Sequence, residues 1–165
     1  MAGLLLEIRF SVTIGVAERT IATAIVSPSA RPSPSITPET TPYEAGLGFC
    51  VRLDKGDFLG RDAVLRKRDA GLDKRLVQFR LTDPEPLLHH AEPVLRDGVV
   101  VGHLTSGAYG HSLGGAVGLG YVPCTGESAE ALLASAYEIE VAGTRVAAEA
   151  SLKPLYDPTG ARTKA

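Results

Sequence analysis

Tryptophan is absent from this chain of 165 residues, and aromatic side chains make up only 5% of it. A core of any size must therefore be aliphatic, built from Val, Leu and Ala. Cysteine is almost as scarce. Cys50 and Cys124 lie far apart, with neither a C-x-x-C pair nor a zinc-like spacing. Both are expected as buried free thiols in a reducing compartment. No run reaches the roughly 18 apolar residues of a membrane-spanning helix. Glu7, Arg9, Glu18 and Arg19 interrupt the moderately apolar N-terminal stretch, which argues against a signal peptide and for a cytoplasmic protein. A clustered basic face is missing too. The formal charge is −2, and the basic residues between Arg61 and Arg75 are interleaved with Asp62, Asp69 and Asp73. That pattern reads as a solvated helix face rather than a nucleic-acid surface.

What is present is turn-forming and β-like. Glycine occurs 18 times and proline 11 times, beside an apolar fraction of 44%, the composition of a turn-rich, mainly β chain with a real core. The length suits one domain, or one small domain with part of another. Residues 4–10 and 21–26 have the character of strands. The Pro/Ser/Thr-rich stretch SPSARPSPSITPETTP at 27–42 reads as linker, which places a boundary near residue 35. Beyond it, 43–53 begins as a turn and continues as a strand. A helix is expected from about Arg61 to Asp69, with Gly71 as its left-handed cap and with Phe58, Leu59, Ala63 and Leu65 toward the body of the protein.

From Leu76 onward the pattern is strictly β. Val77, Phe79 and Leu81 alternate with Gln78 and Arg80, the period-2 mark of a half-buried strand. Asp97-Gly98 is a preferred two-residue hairpin turn, and the arm after it is expected to give way to a loop over 107–114 before a strand over 117–122. A loop with one helical turn over 126–134 precedes a last hairpin, 137–152, turning at Ala142-Gly143. Gly102, Gly118 and Gly120 inside strand patterns mark bends or close backbone approach. The expected fold is mainly β: a six-stranded antiparallel barrel over 76–165, closed or nearly closed so that the edges of a flat sheet are removed, preceded by a short α+β segment over 36–75.

Candidate chemistry is sparse. His89, His90, His103 and His111 lack an acidic partner at a metal-ligand spacing, and no G-x-S-x-G elbow supports a Ser106/His111/Asp97 triad. The glycines from Gly114 to Gly120 match no phosphate-binding motif. The Tyr109/His111 loop is open to two readings: a packed turn at the barrel mouth, or a rim that holds a planar ligand or seals a neighbouring domain.

Three motifs nevertheless resemble one family. TPYEAGLGFCVRLDKGDFLGRDAV at 41–64, VLRDGVVVGHLTSGAYGHSLGGAVGLGYV at 94–122 and KPLYDPTGAR at 153–162 are similar to the glycine-cleavage T-protein (aminomethyltransferase) family. They are most similar to its version at the C-terminal end of flavin-dependent dimethylglycine and sarcosine dehydrogenases. The resemblance implies a ring of two folate-binding α+β portions and a closing barrel, and transfer of a one-carbon unit from an N-methyl amine or glycine to tetrahydrofolate. It makes 36–75 the end of the folate-binding region and leaves residues 1–35 unplaced. It implies that the catalytic aspartate precedes this segment, that FAD would sit only on an upstream domain, and that the chain alone is inactive, its partner being the missing catalytic half or a second subunit. No catalytic residue carries over. Tyr109, His111, Tyr156 and Arg162 carry over as candidate folate contacts, with Glu44 in a loop bordering the same channel. The alternative is a free-standing barrel that binds or assembles without catalysis. As a piece without its catalytic half, the chain is expected to present apolar surface at Phe49, Val51 and Leu53, which would pack on that half.

Overall fold

The computed structural model describes Thr37 and residues 39–162. The possible strands within 1–26 lie outside the described residues. Two 3-10 turns, Gly48–Cys50 and Leu53–Lys55, lead to α1, Arg61–Ala70. Then come β1, Lys74–Leu81; β2, Pro93–Arg96; β3, Val99–Gly110; β4, Gly115–Pro123; α2, Ala129–Ala134; β5, Tyr137–Val141; and β6, Thr144–Ser151.

The six strands close into one barrel in the order β1-β4-β3-β2-β5-β6, every neighbouring pair antiparallel. The expected mainly β fold is therefore observed. Its interior follows from the alternation of β1: Val77, Phe79 and Leu81 are buried together with Val94, Leu104, Val122 and Ile139, while Gln78 and Arg80 point outward. Both predicted hairpin turns have positive φ at each central residue, Asp97 and Gly98 in one, Ala142 and Gly143 in the other, the geometry that suits the right-handed twist of the flanking strands. The bidentate pair of Arg96 with Glu127 (2.7 and 3.1 Å) and the Arg96 Nε bond to Ser135 Oγ (2.7 Å) tie the first hairpin to the segment carrying α2. Ser128 caps α2 by accepting from the Ala131 N–H. Leu132 of that helix is fully buried in the barrel core, and its carbonyl accepts from the Tyr137 hydroxyl at 2.8 Å.

Four expectations are corrected. Residues 43–53 form no strand. Their alternating apolar side chains find no partner strand among the described residues, so the backbone bonds locally: Leu47 N–H to Pro42 O, Cys50 N–H to Leu47 O and Val51 N–H to Gly48 O. Phe49 is consequently 81% exposed, whereas Val51 and Leu53 are half-buried. Second, the first half of 107–114 is strand. Gly107 pairs with Gly118 and Tyr109 with Ala116, leaving a turn of 111–114 closed by Leu113 and Gly114 N–H bonds to Gly110 O. Third, Gly71 ends α1 at φ 88°, ψ 176°, outside the left-handed helical region. The helix buries no residue; Phe58, Val64 and Leu65 are half-buried, while Leu59 and Ala63 are exposed. A helix so rich in charge has little apolar stripe to bury.

Fourth, only Cys124 is buried; Cys50 is exposed. Burial raises the Cys124 thiol pKa, and its S–H reaches the Leu72 carbonyl at 3.6 Å. The thiolate is the reactive species, so a maleimide at neutral pH will label Cys50 alone. Mass spectrometry of tryptic peptides will find Cys124 modified only after denaturant is added; equal labelling of both would contradict this packing. Among the described residues no helix is long and apolar enough to cross a membrane.

Candidate functional site

β6 ends at Ser151, and the chain then folds back over the outer face of the barrel. Ser151 Oγ starts the reversal by accepting from the Lys153 N–H (3.1 Å) and donating to its carbonyl (2.8 Å). Two residues on, the Leu155 N–H donates to Gln78 Oε1 at 2.8 Å. Gln78 faces outward because its neighbours Val77 and Phe79 face the core. The resulting strap, 153–162, and the β3–β4 turn enclose an open groove of about 360 Å³, with His111 and Leu113 on one side and Pro154 and Tyr156 on the other.

The aromatic groups sit at the rim. The Tyr109 ring meets His111 edge-on, centroids 5.1 Å apart. Across the groove, Arg162 Nη1 donates to the Tyr156 hydroxyl at 2.7 Å, and the guanidinium lies over the Tyr156 ring, 5.4 Å from its centroid. Tyr109 is 38% and Tyr156 45% exposed, so both rings retain open surface. The turn that brings Arg162 back is held by Asp157. Its two carboxylate oxygens accept from the Ala161 and Arg162 N–H groups at 2.9 and 3.0 Å, and its own φ is +46°, a conformation Asp tolerates better than most residues.

Two of the five candidate side chains, His111 and Tyr156, thus line one groove, with Tyr109 against the first and Arg162 against the second. Glu44 does not line it. Its carboxylate accepts from the Thr41 N–H and hydroxyl at 2.7 and 2.9 Å, the Glu44 N–H donates to Thr41 Oγ1, and the Leu76 N–H donates to its carbonyl. The reciprocal Thr41–Glu44 bonds, built as in a capping box, fix the local turn, and the Leu76 N–H bond fastens that turn to the start of β1. Gln78 and Asp157 were not singled out from the sequence. The one available signal was that Gln78, the chain's single glutamine, stands on the outward face of a strand.

The groove offers a tyrosine ring and an imidazole, with a guanidinium held beside the tyrosine, the means to bind a flat, anionic molecule. Asp97 is not poised beside His111 as a triad would require; its carboxylate accepts from the Ala136 N–H at the far hairpin. Among the described residues no three His, Cys, Asp or Glu side chains gather closely enough to hold a metal. A larger hollow of about 560 Å³ at the start of α1, between Phe58, Leu59 and Arg66, contains none of the candidate residues.

Comparison with known proteins fits this architecture. Residues 74–157 match the family model of the glycine cleavage T-protein C-terminal barrel domain. The chain is 41% identical over 130 residues to 4-methylaminobutanoate oxidase (formaldehyde-forming) of Paenarthrobacter nicotinovorans, covering 78% of this chain and 15% of that protein. It is 37% identical to the aminomethyltransferase of Rippkaea orientalis, covering 75% of this chain and 32% of that protein. Human mitochondrial sarcosine dehydrogenase is 35% identical, with 78% and 14% covered. The crystal structure of glycine cleavage system aminomethyltransferase T from Bartonella henselae superimposes with a TM-score of 0.58 at 28% identity, over 69% of this chain and 31% of that one. The chain spans between about a seventh and a third of the length of these relatives. With the match extending from β1 into the strap as far as Asp157 and the barrel topology closed as described, the chain belongs to the glycine cleavage T-protein C-terminal barrel family.

Proposed function

We propose that this chain supplies the closing barrel of a tetrahydrofolate-dependent aminomethyltransferase-type enzyme, one that moves a one-carbon unit from an N-methyl amine such as dimethylglycine or sarcosine, or from glycine, to tetrahydrofolate. The observation that carries the reading is the groove itself, lined by the His111 imidazole on one side and the Tyr156 ring on the other, with the exposed Tyr109 ring against His111 and the Arg162 guanidinium against Tyr156. A folate presents a flat conjugated body and a carboxylate-bearing tail. The rings suit the first by stacking, and Arg162 suits the second by bidentate pairing, since the several N–H donors of a guanidinium are not exhausted by one tyrosine hydroxyl. In this reading the barrel binds and orients, and the acid that activates the folate amine comes from the partner half. A flavin would act only on a separate upstream domain, and no step here depends on it. The exposed Cys50 thiol supports a reducing, cytoplasmic setting.

Mixing the purified chain with tetrahydrofolate and dimethylglycine is expected to give no turnover, while calorimetric titration with 5-formyltetrahydrofolate is expected to show weak saturable binding that Arg162→Ala removes. Turnover by the chain alone would refute the division of labour. Absence of binding would favour the second reading, a non-catalytic binding or assembly module. The exposed Leu47, Phe49 and Leu59 side chains support that alternative, and light scattering that finds a defined oligomer without folate affinity would establish it.

A further inference from the structure

The strap that carries Tyr156 and Arg162 has no secondary structure of its own, so its position must be imposed by what it rests on. Two outward side chains do this. Gln78 of β1 and Ser151 of β6 are directly paired across the barrel wall. Ser151 Oγ engages both the N–H and the carbonyl of Lys153, and Gln78 Oε1 accepts from Leu155 N–H at 2.8 Å. The anchored residues, Lys153 and Leu155, alternate along the strap, as if it were an irregular extra strand laid on side chains instead of backbone. Tyr156 follows the second anchor directly, and its hydroxyl in turn holds Arg162. Gln78 itself borders the groove that Tyr156 and His111 line.

We propose that the Gln78–Ser151 pair is the positioning element of this groove, fixing Tyr156, and through it Arg162, at the distance from His111 that a flat anionic ligand requires. The ligand class rests on the folate reading above; the anchoring does not. Neither side chain is asked to touch the reacting atoms. An acceptor at residue 78 is the chemical requirement: glutamate satisfies it, leucine of similar size does not.

The test uses the full chain and two independent readouts. Amide exchange at Leu155, followed by NMR, reports the anchor with no ligand present. The Arg162 side-chain shifts report whether the guanidinium still lies over the Tyr156 ring. In Gln78→Leu, exchange at Leu155 is expected to rise about five- to tenfold, the loss of one hydrogen bond, and the ring-current shift at Arg162 to collapse. Gln78→Glu is expected to restore both, and Ser151→Ala to give a smaller change of the same kind. Affinity for 5-formyltetrahydrofolate should fall by a similar factor in Gln78→Leu and recover in Gln78→Glu. Circular dichroism of each variant establishes that the barrel is intact, and Ser151→Ala serves if Gln78→Leu does not fold. Unchanged Leu155 exchange and Arg162 shifts in Gln78→Leu would overturn the proposal. So would altered shifts with undiminished binding. If the unaltered chain binds no 5-formyltetrahydrofolate, the folate reading fails, while the exchange and shift data still decide whether the pair positions Tyr156 and Arg162.

Discussion

Replacing Phe79 with alanine will lower the free energy of unfolding by about 3–5 kcal/mol, a large part of the ~5–15 kcal/mol available to a domain of ordinary stability. Phe79 is fully buried, and in a chain without tryptophan it is the largest fully buried side chain among the described residues. Its cross-strand partners are small: Gly118 on β4 and Ala150 on β6. That smallness makes room for the ring inside a narrow barrel, and it also means that the neighbours cannot move in to fill the space once the ring is gone. Leu104 already lies against Gly118, with Cδ1 occupying the position a β-carbon there would crowd at 2.7 Å. The loss would further leave Tyr137, whose ring centroid is 5.3 Å from that of Phe79, without its aromatic neighbour, although its hydroxyl stays bonded to Leu132 O. Urea denaturation followed by circular dichroism should show the midpoint falling with little change in slope. Phe79→Leu, which keeps most of the volume, should cost about 1.5 kcal/mol or less. A loss below about 1 kcal/mol for the alanine variant would mean that the barrel collapses around the vacancy, and that its closed geometry is softer than its packing suggests.

The same small residues explain which parts of the fold were legible in the sequence. Strands that alternate over a shared core declare themselves: Val77, Phe79 and Leu81 against Gln78 and Arg80, or Tyr137 and Ile139 against Glu138 and Glu140. The turns between them are equally clear, because positive φ at both Asp97 and Gly98 is a demand few residue pairs meet. Glycines inside a strand send the opposite message. Gly107 and Gly110 weaken a strand when taken alone, so the second half of β3 read as a loop; their use emerges only when β4 and the 84–92 segment are in place. The converse error arose at Phe49, Val51 and Leu53, where alternation alone suggested a strand but no neighbouring strand meets it among the described residues. At the groove, Tyr109, His111, Tyr156 and Arg162 stood out through their motifs; His111 and Tyr156 line it, and Tyr109 and Arg162 each contact one of them. Gln78 stayed invisible because an outward polar residue on a half-buried strand is the default expectation. Only the path of the strap distinguishes it from Arg80.

Gly107→Ala, the smallest possible change at that position, is expected to destabilise the barrel by about 2–3 kcal/mol, the upper part of the range for overpacking. A β-carbon there would lie 2.6 Å from the Leu88 carbonyl carbon, 2.7 Å from Leu88 Cβ and 2.8 Å from the His89 nitrogen. Two of those three atoms are backbone, so no rotamer change relieves the overlap; the 84–92 segment itself must shift. It is poorly placed to do so. Leu88 is buried in the core, and the segment is stitched to β3 by the Ala91 N–H to Leu104 O and Leu104 N–H to Glu92 O bonds at 2.7 and 2.9 Å. Gly114→Ala provides the contrast, because a β-carbon there meets nothing within 4 Å and only the φ of +68° opposes it, a cost of about 1–2 kcal/mol. Thermal unfolding of the two variants should therefore rank Gly107→Ala as the more damaging; equal midpoints would show that the 84–92 segment gives way freely. The ranking matters for the groove as well. Gly107 lies two residues before Tyr109 on the same strand, so if the clash pushes β3 outward instead of displacing the segment, the Tyr109 and His111 rings must move with it. If the proposed folate binding holds, affinity for 5-formyltetrahydrofolate would then fall in Gly107→Ala well before the barrel unfolds, and a variant that loses stability while keeping that affinity would locate the movement in the 84–92 segment.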